Sequence, residues 1–236
     1  GLGDVYKRQR ELLKTLKNLS TYIWHSLHVD GQSVWLAHRE GRAKDGVDKT
    51  DPAVIKMLTI AKPKSSSLTD YIRELTIVPV SISYQYDPCD ALKAHELTTI
   101  EQQGSYTKAE HEDIKSIGHG IAGYKGRIDI RFSPALTGEY ETAVDVADAL
   151  DQAIVSTYQL QSTNLIAYEL VYGKPALDSA LATLGVPVDQ LPDTSTINRQ
   201  VFLDRMASIS DEDSLSALNM YANPIVTRLR LLTAAK

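Results

Sequence analysis

The chain of 236 residues has a single cysteine, Cys89. No internal disulfide can form, which fits a reducing compartment. No apolar run approaches the length needed to span a bilayer. No charged stretch is followed by the apolar core of a signal peptide. Basic residues are not in excess: the net charge of -5 argues against a nucleic-acid-binding surface, which is basic. There is no internal repeat, no calcium-loop pattern and no zinc-ligand spacing around His111 or His119. What remains is ordinary for a soluble globular protein, with 43% hydrophobic and 23% charged residues.

Periodicity divides the chain in two. Leu12, Leu16, Leu19, Ile23 and Leu27 form one stripe and predict an amphipathic helix over 10–28. Asp30-Gly31 predicts a turn and Ser33 to Ala37 (SVWLA) a buried strand. Pro52 suits the first turn of a helix ending near Ile60, and a short helix is expected over 68–74. Thr76 to Tyr86 is the strongest strand signal, with Val78, Val80, Ile82 and Tyr84 alternating with polar partners and Pro79 marking an edge or bulge. Helices are expected over 89–99 and 108–118, then a flexible glycine connection through Gly118, Gly120, Gly123 and Gly126. Arg127 to Phe132 alternates, which predicts a strand with Ile128, Ile130 and Phe132 inward.

From residue 141 the pattern becomes helical, with breaks at Gly173-Lys174-Pro175, at Gly185-Val186-Pro187 and near Ser210. Ser210 with Asp213 reads as an N-cap with an acidic first turn, and Asn223-Pro224 should kink or break the last helix. The fold class expected is α/β, a mixed sheet flanked by helices, followed by an α-helical C-terminal region. The expected divisions are a leader over 1–9, an α/β domain over 10–140 and a helical region over 141–236. Gly1 to Gln9 (GLGDVYKRQ) resembles translated sequencing-adapter sequence found at the ends of assembled fragments. It is therefore expected to be non-native, with the natural protein beginning further upstream.

The segment that carries chemistry is Trp35 to Asp51, a predicted strand running into a loop with Arg39, Glu40, Gly41, Arg42 and Lys44. Gly41 permits close backbone approach to a ligand. Arg42 offers a planar fork for phosphate and Lys44 a point charge. Glu40 can orient Arg42 or accept a ligand hydroxyl. The plain alternative is a solvated charged loop. Asp45, Asp48 and Asp51 are spaced by three, which fits helix capping and loop solvation better than a metal site.

Glu40-Gly41-Arg42-Ala43-Lys44 resembles the Glu-Gly-x-Arg-Ser-Arg block of glycerol-3-phosphate and lysophosphatidic acid acyltransferases. In that family the block follows a strand and binds the acceptor's phosphate. Ile77-Val78-Pro79-Val80-Ser81-Ile82 is similar to the family's Val-Pro-Val strand, in the same order with a helix between. Arg39 to Asp51, with Tyr84-Gln85-Tyr86-Asp87-Pro88-Cys89-Asp90, resembles a bacterial branch of these enzymes, and the resemblance covers about residues 10–135. It implies a partial acyltransferase domain of phospholipid biosynthesis. The acyl group would pass from acyl-CoA or acyl carrier protein to glycerol 3-phosphate or 1-acylglycerol 3-phosphate. Arg39, Glu40, Gly41, Arg42 and Lys44 would hold the phosphate, and Val78 and Pro79 would wall the pocket. It further implies no cofactor, no metal, no nucleic acid, and a cytoplasmic protein with peripheral membrane contact. The family has one more residue between the glycine and the arginine, so the role of Arg42 assumes a one-residue gap. The family's catalytic His-x-x-x-x-Asp lies several tens of residues before the glutamate-glycine block and is expected upstream of this chain. His25-Ser26-Leu27-His28-Val29-Asp30 meets the pattern literally, but His25 closes a predicted helix on its polar face and is expected to be a solvated surface histidine. The alternative function is a non-catalytic module binding an anionic lipid or a sugar phosphate.

Overall fold

A computed structural model describes residues 2–39 and 43–234. Among them are ten α-helices and one antiparallel pair of strands: α1 (Leu2–His28), α2 (Pro52–Leu58), α3 (Leu68–Leu75), β1 (Val80–Tyr84), α4 (Asp90–Gln103), α5 (Glu112–Ala122), β2 (Ile128–Phe132), α6 (Ala143–Thr157), α7 (Ser162–Tyr172), α8 (Lys174–Leu184), α9 (Thr196–Ala207) and α10 (Asp211–Ala234). The helical second half stands as expected. The mixed sheet does not: among the described residues the sheet is a two-stranded ribbon. The described residues fall into two units of non-consecutive segments. One draws on Gly1–Arg42, Lys49–Pro79 and Ser133–Ala153, the other on Ala43–Asp48, Val80–Phe132 and Ile154–Lys236.

In the first unit, α2 starts where the sequence places its stop and start signals. Asp51 is the N-cap, its carboxylate accepting from Ala53 N at 2.8 Å, and Pro52 occupies the first turn. Ser67 caps α3 by accepting from Asp70 N at 3.0 Å. Ile55, Ile72, Leu136, Tyr140, Val146 and Leu150 form the apolar core. The expected stripe on α1 is rotated. Leu12 and Leu19 are exposed, while Ser20, Ile23 and Ser26 are buried. Ser20 explains the rotation, because its hydroxyl donates to Leu58 O and accepts from Ala61 N, both at 2.9 Å. Two part-buried backbone groups, one at the end of α2 and one just after it, thus gain a partner that leucine cannot supply. Ser33 to Ala37 is neither a strand nor buried, with Trp35 67% exposed. An apolar run becomes a strand only where a neighbouring strand pairs with it, and none does among the described residues.

Asp145 closes the N-terminus of α6. Its carboxylate accepts from Thr142 N at 2.7 Å and Glu141 N at 2.9 Å, while Thr142 Oγ1 accepts from Asp145 N at 3.2 Å. The Thr142 amide, then that of Glu141, holds the Asp145 carboxyl below its ordinary value. A carboxyl depressed on folding stabilises the fold above its unfolded pKa, about 3.9, and that contribution disappears as pH falls through the folded value. Replacing Asp145 with Ala is therefore expected to flatten the dependence of the urea midpoint on pH below about 4. An unchanged pH profile in that variant would remove Asp145 from the acid response.

The second unit is built on α7 and α10, with α4, α8 and α9 packed on them. Leu165, Ile166, Phe202, Met206, Ala217 and Ile225 are at its centre. Ser210 caps α10 as expected, accepting from Asp213 N at 3.2 Å and donating to Asp213 Oδ2 at 2.7 Å. Pro224 does not break α10, which runs 24 residues through it. Proline has no N–H, so Met220 O loses its helical donor four residues on. Gly46 packs against this carbonyl so closely that a Cβ there would stand 2.0 Å from Met220 O. Asn223 Nδ2 donates to Asp45 O at 2.7 Å beside it. The helix runs on through Pro224, with segment 43–48 seated on the proline turn.

The inward side expected of the 127–132 strand is reversed. β1 and β2 pair with Ile82 opposite Ile130 and Tyr84 opposite Ile128. Ser81 and Ser83 are the buried residues of β1, whereas Ile82, Tyr84, Ile128, Ile130 and Phe132 are exposed. The buried side of the ribbon is polar because Gln161 Nε2 donates to Ser83 Oγ at 3.1 Å and to Asp129 Oδ2 at 2.8 Å. Gly118 and Gly120 lie inside α5 rather than in a flexible connection.

Candidate functional site

Glu40, Gly41 and Arg42 lie outside the described residues, and the other expected site residues are described within the unit that holds each. On the first unit's side, the loop opening at His38 is closed on itself. Asp51 N donates to His38 O at 2.9 Å, and His38 Nδ1 lies 3.1 Å from Thr50 Oγ1. Thr50 is fully buried, and its N–H donates to Asp151 Oδ1 of α6 at 2.7 Å. The neck is thus fixed by three hydrogen bonds. Arg39, half-buried, is the first residue beyond it. Val78 and Pro79 belong to the same unit, immediately before β1. Val78 is exposed and Pro79 buried, and Pro79 O accepts from Ser133 N at 2.9 Å. The two residues expected to wall one pocket therefore differ in environment. No hydrogen bond or ion pair joins Arg39 to either among the described residues.

Within the second unit, segment 43–48 is held through Lys44, Asp45 and Gly46. Lys44 Nζ pairs with a carboxylate oxygen of Glu96 on α4. Asp45 Oδ1 accepts from Val47 N at 3.0 Å, and Asp45 O accepts from Asn223 Nδ2. Gly46 takes φ +72 and meets Met220. Lys44 is thereby an anchor of the segment, and it reaches a phosphate only by exchanging Glu96 for it. Asp51 caps α2 and Asp45 closes a local turn, so these two carboxylates are structural.

His25 and Asp30 do meet, with Nδ1 to Oδ2 at 3.3 Å. Their side chains are 55% and 49% exposed at the end of α1. An exposed pair is well solvated and weakly coupled, which is what the sequence led us to expect of this histidine. His28 Nε2 instead pairs with Glu74 at 3.1 Å. His95 sits on the surface of α4 at 3.3 Å from Asp213. Cys89 is a buried thiol, its Sγ 3.4 Å from Ser116 O. Among the described residues no three His, Cys, Asp or Glu side chains converge as metal ligands, and no helix is long and apolar enough to cross a membrane.

A group that sequence reasoning passed over dominates the polar interior of the second unit. Asp90 is 4% exposed and receives Arg205 Nε at 2.5 Å, Arg205 Nη2 at 3.0 Å and Tyr221 Oη at 2.8 Å. Arg205 also donates to Asp87 O at 2.7 Å and lies over the Tyr86 ring at 5.5 Å. Asp87 N donates back to Tyr221 Oη at 2.9 Å. Burial pushes the Tyr221 phenol far up, with Asp90 adding to it. Burial opposes the charge of Arg205, and Asp90 outweighs that, leaving the guanidinium above its ordinary value. The only sequence signal was the Tyr86-Asp87-Pro88-Cys89-Asp90 string. Its partners lie more than a hundred residues away, and the group joins α4, α9 and α10 in a structural role. No protein-family model, no curated protein and no solved structure matches the chain.

Proposed function

We propose that the chain carries the acceptor-phosphate site of a phospholipid-biosynthetic acyltransferase. Acyl-CoA or acyl carrier protein would supply the acyl group, and glycerol 3-phosphate or 1-acylglycerol 3-phosphate would accept it. The observation supporting this is the pinned neck at His38, Thr50 and Asp51. It fixes the origin of a loop in which Arg39, Glu40, Gly41 and Arg42 follow one another, as phosphate recognition requires. Two arginine forks around one phosphate would place the acceptor hydroxyl. A histidine base takes the hydroxyl proton as the oxygen attacks the thioester carbonyl, and the thiolate leaves with a proton. The reading gives that base to an upstream His-x-x-x-x-Asp and leaves His25 at the surface. Val78, the exposed member of the 77–79 segment, would line the acceptor side.

Calorimetric titration with glycerol 3-phosphate tests the site directly. Binding is expected, with glycerol silent, and Arg39→Ala or Arg42→Ala should each weaken it about tenfold or more, about 1.4 kcal/mol. Acyl transfer to glycerol 3-phosphate and to lysophosphatidic acid is expected to be absent from this chain alone. Transfer abolished by His25→Ala would instead give that histidine the base's role. If glycerol 3-phosphate does not bind, the acceptor-site reading fails. The second reading, a non-catalytic module for an anionic lipid or sugar phosphate, is favoured by the solvent-exposed placement of His25 and Asp30. It requires binding without turnover even when a chain containing the upstream motif is assayed.

A further inference from the structure

The β1–β2 ribbon carries its outward apolar side chains and its outward backbone groups on the same residues. Gln85 N donates to Arg127 O at 2.8 Å and Ser133 N to Pro79 O at 2.9 Å. Bonded and non-bonded pairs alternate in an antiparallel ladder. With Ser83 opposite Asp129 and Ser81 opposite Arg131, those are the bonded pairs between the two ends. The N–H and C=O groups of Ile128, Ile130 and Phe132 therefore point to the outer edge of β2. No third strand lies along that edge among the described residues. The side chains of the same three residues are 48%, 54% and 66% exposed.

We propose that this edge pairs antiparallel with β2 of a second copy of the chain, about a two-fold axis through Ile130, to make a four-stranded sheet. Among axes through the three central residues of the strand, only that one sets opposite charges against each other. Ile130 faces its own copy and Ile128 faces Phe132, so one face of the new sheet is continuously apolar. On the other face Asp129 stands opposite Arg131 twice, once on each side of the axis. A two-fold axis through Asp129 would oppose the two Asp129 carboxylates, and one through Arg131 would oppose two guanidiniums. Like charges directly opposite destabilise a pair of strands. A one-residue slip turns apolar side chains onto the polar face. A lipid surface would cover the isoleucines but leave the edge amides and carbonyls without partners, a cost that pairing with another strand avoids. The inference uses only the ribbon and does not depend on acyl transfer.

Two five-residue strands bury less than a standard stable interface, about 1,200 Å² at its lower end, so a dissociation constant on the order of 10 μM is expected. Sedimentation velocity over a concentration series should show monomer passing to dimer and no further. Arg131→Asp, which opposes carboxylates at both positions, should raise the dissociation constant about tenfold or more. Residues facing each other across a bonded pair have Cα atoms about 5.5 Å apart, within disulfide reach. Mild oxidation should therefore join Ile130→Cys chains into dimers and leave Ile128→Cys chains largely unjoined, since each Ile128 faces Phe132. Native Cys89 is buried and supplies the unreactive background. A chain that stays monomeric throughout overturns the proposal. So does equal cross-linking at 128 and 130, or open-ended assembly indifferent to the charge at 131.

Discussion

Asp90→Ala should lower the stability of the second unit by about 3–5 kcal/mol, the cost typical of removing one partner from a buried ion pair. The variant strands the Arg205 guanidinium against Asp87 O and the Tyr86 ring, without a carboxylate to balance it. Tyr221 Oη loses its acceptor at the same time, in a buried site. Urea unfolding followed by circular dichroism measures the loss. Replacing both members of the ion pair is expected to be milder, although Tyr221 Oη still loses its acceptor. Asp90→Leu with Arg205→Met exchanges a paired charge for apolar volume, and such exchanges are often near neutral. A single-variant loss below about 1 kcal/mol, or a double variant worse than either single, would show that the group is not coupled as the geometry indicates.

Gly46→Ala is expected to cost about 3 kcal/mol, through two effects that add. The residue takes φ +72, which L side chains adopt at about 1–2 kcal/mol. The added methyl would also have to displace the Met220 carbonyl, a backbone atom inside α10 that cannot swing aside as a side chain can. Asn223→Ala removes the bond to Asp45 O but adds no clash, so about 1 kcal/mol is expected from it. Unchanged stability in Gly46→Ala would mean that the loop seats differently on the proline turn.

Local rules that depend on neighbours in sequence were legible. Asp51, Pro52 and Ser210 cap or start helices as expected, and the breaks at Gly173 and Gly185 fall between helices. What was not legible depends on distant partners. The inward serines of β1 are explained by Gln161, nearly eighty residues away, and no alternation of apolar residues reports that. SVWLA had the composition of a strand and lacked a partner. Pro224 had the signature of a helix break, and Gly46, far back in the chain, accommodates it. For the candidate site, the sequence indicated the loop and its charged residues but not the neck that holds it. His38 and Thr50 show no pattern until Asp151 is brought beside them. Lys44 shows the opposite limit: its charge was visible, and its commitment to Glu96 was not.

The non-consecutive make-up of the two units also has a consequence for how the chain is made. The first unit needs Ile55 and Ile72 together with Leu136, Tyr140 and Val146, so its core cannot close until well past the middle of the chain has left the ribosome. The second unit needs α10, its C-terminal helix, before α4 and α7 have the surface they pack on. Neither unit can complete folding in step with synthesis from the N-terminus, and both rely on loops closed late over long separations. Nascent chains should therefore remain open to proteolysis through most of their elongation and acquire resistance in two late steps. For such a chain, holdase chaperones would matter more during synthesis than afterwards.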